Sequence, residues 1–220
     1  MAALYSAPVD YMCIAIEGPV GVGKSALAER VAVRLDATAI LEDHDNPFLA
    51  DFYQEKAGSA FQTQLFFLLS RHRQQTALRQ TELFNHVTIC DYLFEKDRIY
   101  AYLSLDDNEL FIYQKVYELL ARDIPQPDLV VYLQAPTDQI VRRARERARR
   151  PDHEGPAVGA AYLKELNEAY QHFFFHYSAT PLLVVETSQA DVTAEDAVDD
   201  LIHQIRVMGK GTQYYVPRSR

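Results

Sequence analysis

Eight consecutive residues, Gly18-Pro19-Val20-Gly21-Val22-Gly23-Lys24-Ser25, spell G-x-x-x-x-G-K-[ST]. These residue types at this spacing handle phosphate. Glycines let the backbone curl with its N–H groups inward, the lysine reaches the outer phosphates of a nucleoside triphosphate, and the hydroxyl holds Mg²⁺. The apolar run 12–16 reads as a buried strand, and Leu27, Val31 and Leu35 recur at helical spacing after the loop. Strand, glycine loop and helix N-terminus therefore come in the order the motif needs, and the helix dipole favours the same anion. Gly18 to Ser25 are expected to bind donor phosphates, with Lys24 acting in catalysis and Ser25 on the metal.

Two acids follow at predicted strand ends. Glu42 closes the strand 39–41 and Asp91 closes the strand 87–90. A carboxylate at the C-terminal edge of a parallel strand faces the crevice where ligands sit. Glu42 suits proton removal from an attacking hydroxyl, and Asp91 suits Mg²⁺. The alternative for Glu42 is a solvated acidic loop, because Asp43, Asp45 and Asn46 follow and Asp45 and Asn46 suit the cap of a helix starting near Pro47. A third cluster runs from Arg142 to Arg150, six arginines and one glutamate in nine residues. On an acidic chain this density suits a lid that closes on a transferring phosphoryl group, although cations at a helix C-terminus before Pro151 account for part of it. On the aromatic segment Phe61 to Arg71, Gln64 and Arg71 lie two turns apart on one face. They can read a base edge, or, if buried, they need protein partners.

The elements that must position these residues are βα units. Five strands at 12–16, 39–41, 87–90, 129–133 and 182–185 alternate with helical stretches, including 47–81 and 106–122. The expected fold is a P-loop kinase-type α/β domain spanning 1–220, a five-stranded parallel sheet flanked by helices with an arginine-rich lid over about 142–156. Gly155, Pro156 and Gly159 are expected to mark a mobile break, and the polar tail 209–220 to be loosely ordered. The formal net charge of −9 argues against broad nucleic-acid or acidic-membrane binding. No apolar run approaches a membrane span and no leader pattern opens the chain, so a cytoplasmic protein is expected. Cys13 and Cys90 fall in predicted strands and read as reduced, packed thiols.

With these pieces assembled the chain resembles the deoxynucleoside kinase family of deoxycytidine, deoxyguanosine and deoxyadenosine kinases, and more narrowly its bacterial purine-preferring members. The resemblance runs from Ile14 to about Val207. It rests on Ile16-Glu17-Gly18 through Ser25, the acid after the second strand, FQTQLFFLLSR ending at Arg71, DYLFEKDR from Asp91 to Arg98, and Tyr132-Leu133-Gln134-Ala135 leading into the arginine segment. It implies Glu42 as base for the nucleoside 5′-hydroxyl, Tyr53 and Glu154 on the 3′-hydroxyl, and Gln64, Arg71 and Asp97 on the base. It also implies Arg143, Arg147 and Arg149 as lid cations, with Arg150 competing for the last place, and a homodimer. Many relatives carry Arg-Ser after the third-strand acid where this chain has Tyr92-Leu93; the arginine's role here passes to a lid arginine or lapses, and the bacterial subgroup also tends to have tyrosine. The implied reaction moves the γ-phosphoryl group of ATP, with Mg²⁺, to the 5′-hydroxyl of a small-molecule deoxynucleoside. Rival readings are a thymidylate-type monophosphate kinase, a kinase-fold structural subunit without turnover, and, most weakly, a GTPase, for which no Asn-Lys-x-Asp stretch is found.

Overall fold

The computed structural model describes residues 11–43, 45–81, 87–149 and 158–217. The elements in chain order are β1 (Cys13–Glu17), α1 (Lys24–Leu35), β2 (Thr38–Ile40), α2 (Leu49–Tyr53), α3 (Ser59–Thr81), β3 (Thr88–Cys90), α4 (Lys96–Ser104) and α5 (Asp107–Leu120). They continue with β4 (Leu129–Gln134), α6 (Thr137–Ala148), α7 (Ala160–Phe175), β5 (Leu182–Glu186), α8 (Glu195–Val207) and β6 (Thr212–Tyr215). All strand pairs are parallel, in the order β2-β3-β1-β4-β5-β6.

A parallel sheet has helices over both faces, so its strands are apolar on both sides. Along β4, Leu129, Val131 and Leu133 join Ile14, Ile16 and the α1 and α8 residues Leu27, Val31, Leu201 and Ile205 on one face. Val130 and Tyr132 point to the other face, against Leu166, Tyr170 and Phe174 of α7. The period of two along each strand thus sorts one sequence into two cores. A smaller cluster, Leu68, Phe94, Ala101, Tyr113 and Ile124, knits α3, α4 and α5 together beyond the sheet. The helix α5 starts on a capping box in which Asp106 accepts from the backbone of Asn108 and Glu109.

Three expectations need correction. The sheet has six strands rather than five, and the sixth lies within the tail expected to be loose. Thr212–Tyr215 is too polar to announce itself by alternation, but the open edge of β5 supplies its backbone partners, from Leu182 opposite Thr212 to Val185 opposite Tyr215. The helix expected near Pro47 begins at Leu49 without a side-chain cap. Asn46 instead accepts from the Phe48 N–H at 3.0 Å and donates to the Thr63 carbonyl at 3.1 Å, tying the loop to α3. Arg150, Glu154, Gly155 and Pro156 lie outside the described residues. Neither Cys13 nor Cys90 forms a disulfide, and the Cys90 thiol is pushed up by hydrogen bonding with Cys13 and by burial.

Candidate active site

The phosphate loop owes its shape to its glycines. A methyl group on Gly18 would lie 2.4 Å from the Leu133 carbonyl oxygen, so only glycine lets the loop pass so close to β4. Gly23 caps α1 at φ +98, a left-handed conformation that turns the chain into the helix. The first turn of α1 has no acidic residue and no side-chain cap, which leaves its N–H groups for an anion. The Lys24 ammonium group donates to the carbonyls of Gly18 at 2.7 Å and Pro19 at 3.4 Å. Burial pushes Lys24 down from the usual lysine range, and the nearby Glu17 carboxylate opposes that shift.

Glu17 is a fully buried carboxylate at the exit of β1, quoted within the motif but given no role in the sequence reading. One oxygen accepts from Gly18 N–H at 2.8 Å and from the Tyr170 hydroxyl at 3.1 Å; the other accepts from Leu93 N–H at 2.8 Å. It therefore locks the start of the phosphate loop to the segment after β3 and to α7. The signal that could have found it was a lone acid closing an apolar strand at the loop's first residue.

Asp91 is 1% exposed at the end of β3. One of its oxygens accepts from the Ser25 hydroxyl, the other from the Glu42 N–H at 2.6 Å. The two expected metal ligands are thus in direct contact, although they are 66 residues apart. A hydroxyl and a carboxylate form a hard oxygen pair that fits Mg²⁺, which takes one or two protein ligands and completes its shell with water and phosphate. Among the described residues no group of three or more His, Cys, Asp or Glu could hold a metal unaided.

Glu42 lies at the centre of a buried ionic network. Its Oε1 accepts from Nε of Arg71 at 3.0 Å and from Nη2, while Oε2 accepts from Nζ of Lys96 at 2.6 Å. The same Arg71 donates through Nη1 to Asp97, and it lies 5.0 Å over the Phe67 ring. Burial pushes the Glu42 carboxyl up, but Arg71 and Lys96 together override it and hold the group well below the usual carboxylate range. The acidic-loop alternative for Glu42 does not describe this side chain, which is 8% exposed. Asp97 is fully buried, and its Oδ2 has no partner among the described residues. Gln64, also buried, sits two turns before Arg71 on α3, and Tyr53 ends α2, half-buried.

Tyr92 is buried, and the cation on Glu42 besides Arg71 is Lys96 from the first turn of α4. From the sequence, the role expected of an arginine at position 92 passes to a lid arginine or lapses. The arginine-rich helix α6 comes close to the phosphate loop: a methyl group on Gly21 would sit 3.6 Å from Cβ of Arg143. Arg143 donates to the hydroxyl and carbonyl of Thr187 at 3.1 and 2.7 Å, which joins α6 to the loop after β5. Arg147 and Arg149 are exposed on and just after the last turn of the helix.

A family profile described as Deoxynucleoside kinase matches residues 14–208. The deoxyguanosine kinase of Bacillus subtilis is 32% identical over 160 residues, 72% of this chain and 76% of that protein. The deoxyadenosine/deoxycytidine kinase of the same organism is 26% identical over 201 residues, 87% of this chain and 90% of its own. Among solved structures, deoxyadenosine kinase from M. mycoides with bound dATP shares the fold, with a TM-score of 0.73 at 23% identity over 88% of this chain and 98% of that one. With the profile spanning the phosphate loop, both strand-end acids and the arginine helix, the chain belongs to the deoxynucleoside kinase family.

Proposed function

We propose that this deoxynucleoside kinase transfers the γ-phosphoryl group of ATP to the 5′-hydroxyl of a purine deoxynucleoside, deoxyadenosine or deoxyguanosine, and accepts deoxycytidine as well. The observation that carries this reading is the bridge made by Arg71 between Glu42 and Asp97. One guanidinium separates a carboxylate suited to a hydroxyl from a carboxylate suited to a base edge. The unpartnered Asp97 Oδ2 is costly when buried and is completed by an N–H donor on the base. Gln64 supplies a further amide on the same helix, and Tyr53 and Glu154 take the sugar 3′-hydroxyl. Relatives named for deoxyguanosine and deoxyadenosine support the purine preference.

Glu42 accepts the proton of the 5′-hydroxyl while that oxygen bonds to the γ-phosphorus. The bond from phosphorus to the bridging oxygen breaks, and its electron pair leaves on ADP. Lys24, Arg143, Arg147 and Arg149 face the charge that spreads over the phosphoryl oxygens; closure over the site keeps water from ATP. Ser25 and Asp91 would hold Mg²⁺, which neutralises phosphate charge when bound.

A thymidylate-type kinase needs extra cations in the acceptor site for a second phosphate, but here Arg71 is already matched to both Glu42 and Asp97. We further propose a cytoplasmic homodimer folded as one domain. No helix among the described residues is long and apolar enough to cross a membrane. Tyr102, Phe111, Ile112 and Leu119 leave large apolar side chains exposed on α4 and α5, which supports self-association. The test is a panel of deoxynucleosides and deoxynucleoside monophosphates assayed with ATP and Mg²⁺. Phosphorylation of purine deoxynucleosides is expected; turnover of monophosphates alone would overturn the reading.

A further inference from the structure

We propose that Lys96 is a catalytic residue whose ammonium group contacts the phosphoryl group during its transfer. The proposal rests on the phosphoryl-transfer reading above. Lys96 is 2% exposed, a burial that lysine tolerates only with a partner. Its ammonium group carries three donors, yet among the described residues its contacts are one hydrogen bond to Glu42 Oε2 and the ring of Tyr100 at 6.0 Å. Arg71, by contrast, spends Nε, Nη1 and Nη2 on Glu42 and Asp97. Every nitrogen of Arg71 is thus already engaged, whereas the single nitrogen of Lys96 keeps two of its three donors uncommitted among the described residues.

Its position supports the same role. Lys96 hydrogen-bonds the base candidate, and its charge also acts on the phosphate-loop Lys24, which burial pushes down, Glu17 pushes up and Lys96 pushes down. The two like charges repel, and an anion bound near both relieves that repulsion. The reaction brings that anion. As the 5′-hydroxyl proton passes to Glu42, the carboxyl becomes neutral and leaves Lys96 buried without its counter-charge, a costly state. At the same moment the 5′-oxygen bonds to phosphorus and negative charge spreads over the phosphoryl oxygens. The Lys96 ammonium group turns from Glu42 to those oxygens. Proton transfer to the base and stabilisation of the product phosphate thereby become one coupled event.

The experiment compares wild type, Lys96→Met, Lys96→Gln and Lys96→Arg in steady-state turnover of deoxyadenosine with ATP and Mg²⁺, alongside thermal unfolding of each. Removing one donor of this kind costs about 10²-fold or more in kcat. The expected result is that loss for the two neutral variants, with KM for nucleoside and ATP within about threefold of wild type, and at least about tenfold recovery in Lys96→Arg. If Lys96→Met does not fold, Lys96→Gln is judged by the same criteria. Neutral variants with near-normal kcat, or a loss that falls on both KM values and is not recovered by arginine, would overturn the role and leave a structural ion pair. Wild-type protein inert toward every deoxynucleoside would instead sink the reading on which the role depends.

Discussion

Glu42 has two neighbours that matter most, Arg71 and Lys96, and they set how it behaves before and during turnover. Glu42→Gln should lower kcat for deoxynucleoside phosphorylation by roughly 10²- to 10⁴-fold, the ordinary worth of a general base, while ATP binding persists. Its acid response is also testable. The folded carboxyl titrates well below the usual carboxylate range because Arg71 and Lys96 override burial, so its contribution to stability is complete above the unfolded value of about 4.3 and is lost as the pH falls through the lower folded value. Urea unfolding of wild type should weaken on acidification below about pH 4.3, and Glu42→Gln should show a shallower decline. An equal slope would mean that the network contributes nothing. At Arg71, replacement by Met removes charged hydrogen bonds worth about 1.5–3 kcal/mol each, which predicts a rise of at least roughly tenfold in nucleoside KM. KM for ATP should hardly move; a matching rise in both would indicate misfolding. None of this pairing was legible residue by residue. Glu42, Arg71 and Asp97 were identifiable as polar groups at strand-end and helix positions, but Lys96 was not singled out, because a lysine opening a helix looks like any solvated charge until the fold buries it.

At the scale of elements, the phosphate loop works because β1 delivers it tightly against β4. The 2.4 Å approach that a Gly18 methyl would make to the Leu133 carbonyl meets backbone, which cannot swing aside. Gly18→Ala should cost about 1–3 kcal/mol of stability, as overpacking does, and should weaken ATP binding more than nucleoside binding. Equilibrium unfolding and ATP titration check both halves of that statement. The arginine-rich helix α6 is similarly an element whose meaning depends on its neighbour. Arg143 lies near Gly21 of the loop and bonds Thr187 just after β5, so it ties α6 to the end of the sheet. Strand positions were legible to within a residue or so, since a buried parallel strand is a short apolar run. The strand β6 was not, because edge pairing needs only backbone groups and leaves the side chains free to be polar.

For the whole molecule, the described residues include a group of exposed large apolar side chains on α4 and α5. Phe111, at 62% exposure, and Ile112 and Leu119 lie on α5, with Tyr102 on α4 beside them. If this is the dimer surface, Phe111→Glu should shift the protein toward monomer in sedimentation or light scattering at micromolar concentration, with the monomer fold intact by circular dichroism. An unchanged mass would move the interface elsewhere.

The phosphate loop was determined by the sequence alone, because the eight residues 18–25 are contiguous and their conformation follows from glycine's freedom and a helix start, both local effects. The alternation of short apolar runs with helical patterns settled the fold class for the same reason. Only tertiary structure decided the ionic network around Glu42. Residues 42, 71, 96 and 97 come from the end of β2, from α3 and from α4, and which cation neutralises which carboxylate depends on distances and burial that no spacing along the chain encodes. The same holds for Glu17, whose three hydrogen-bond donors reach it from its own loop, from the segment after β3 and from α7.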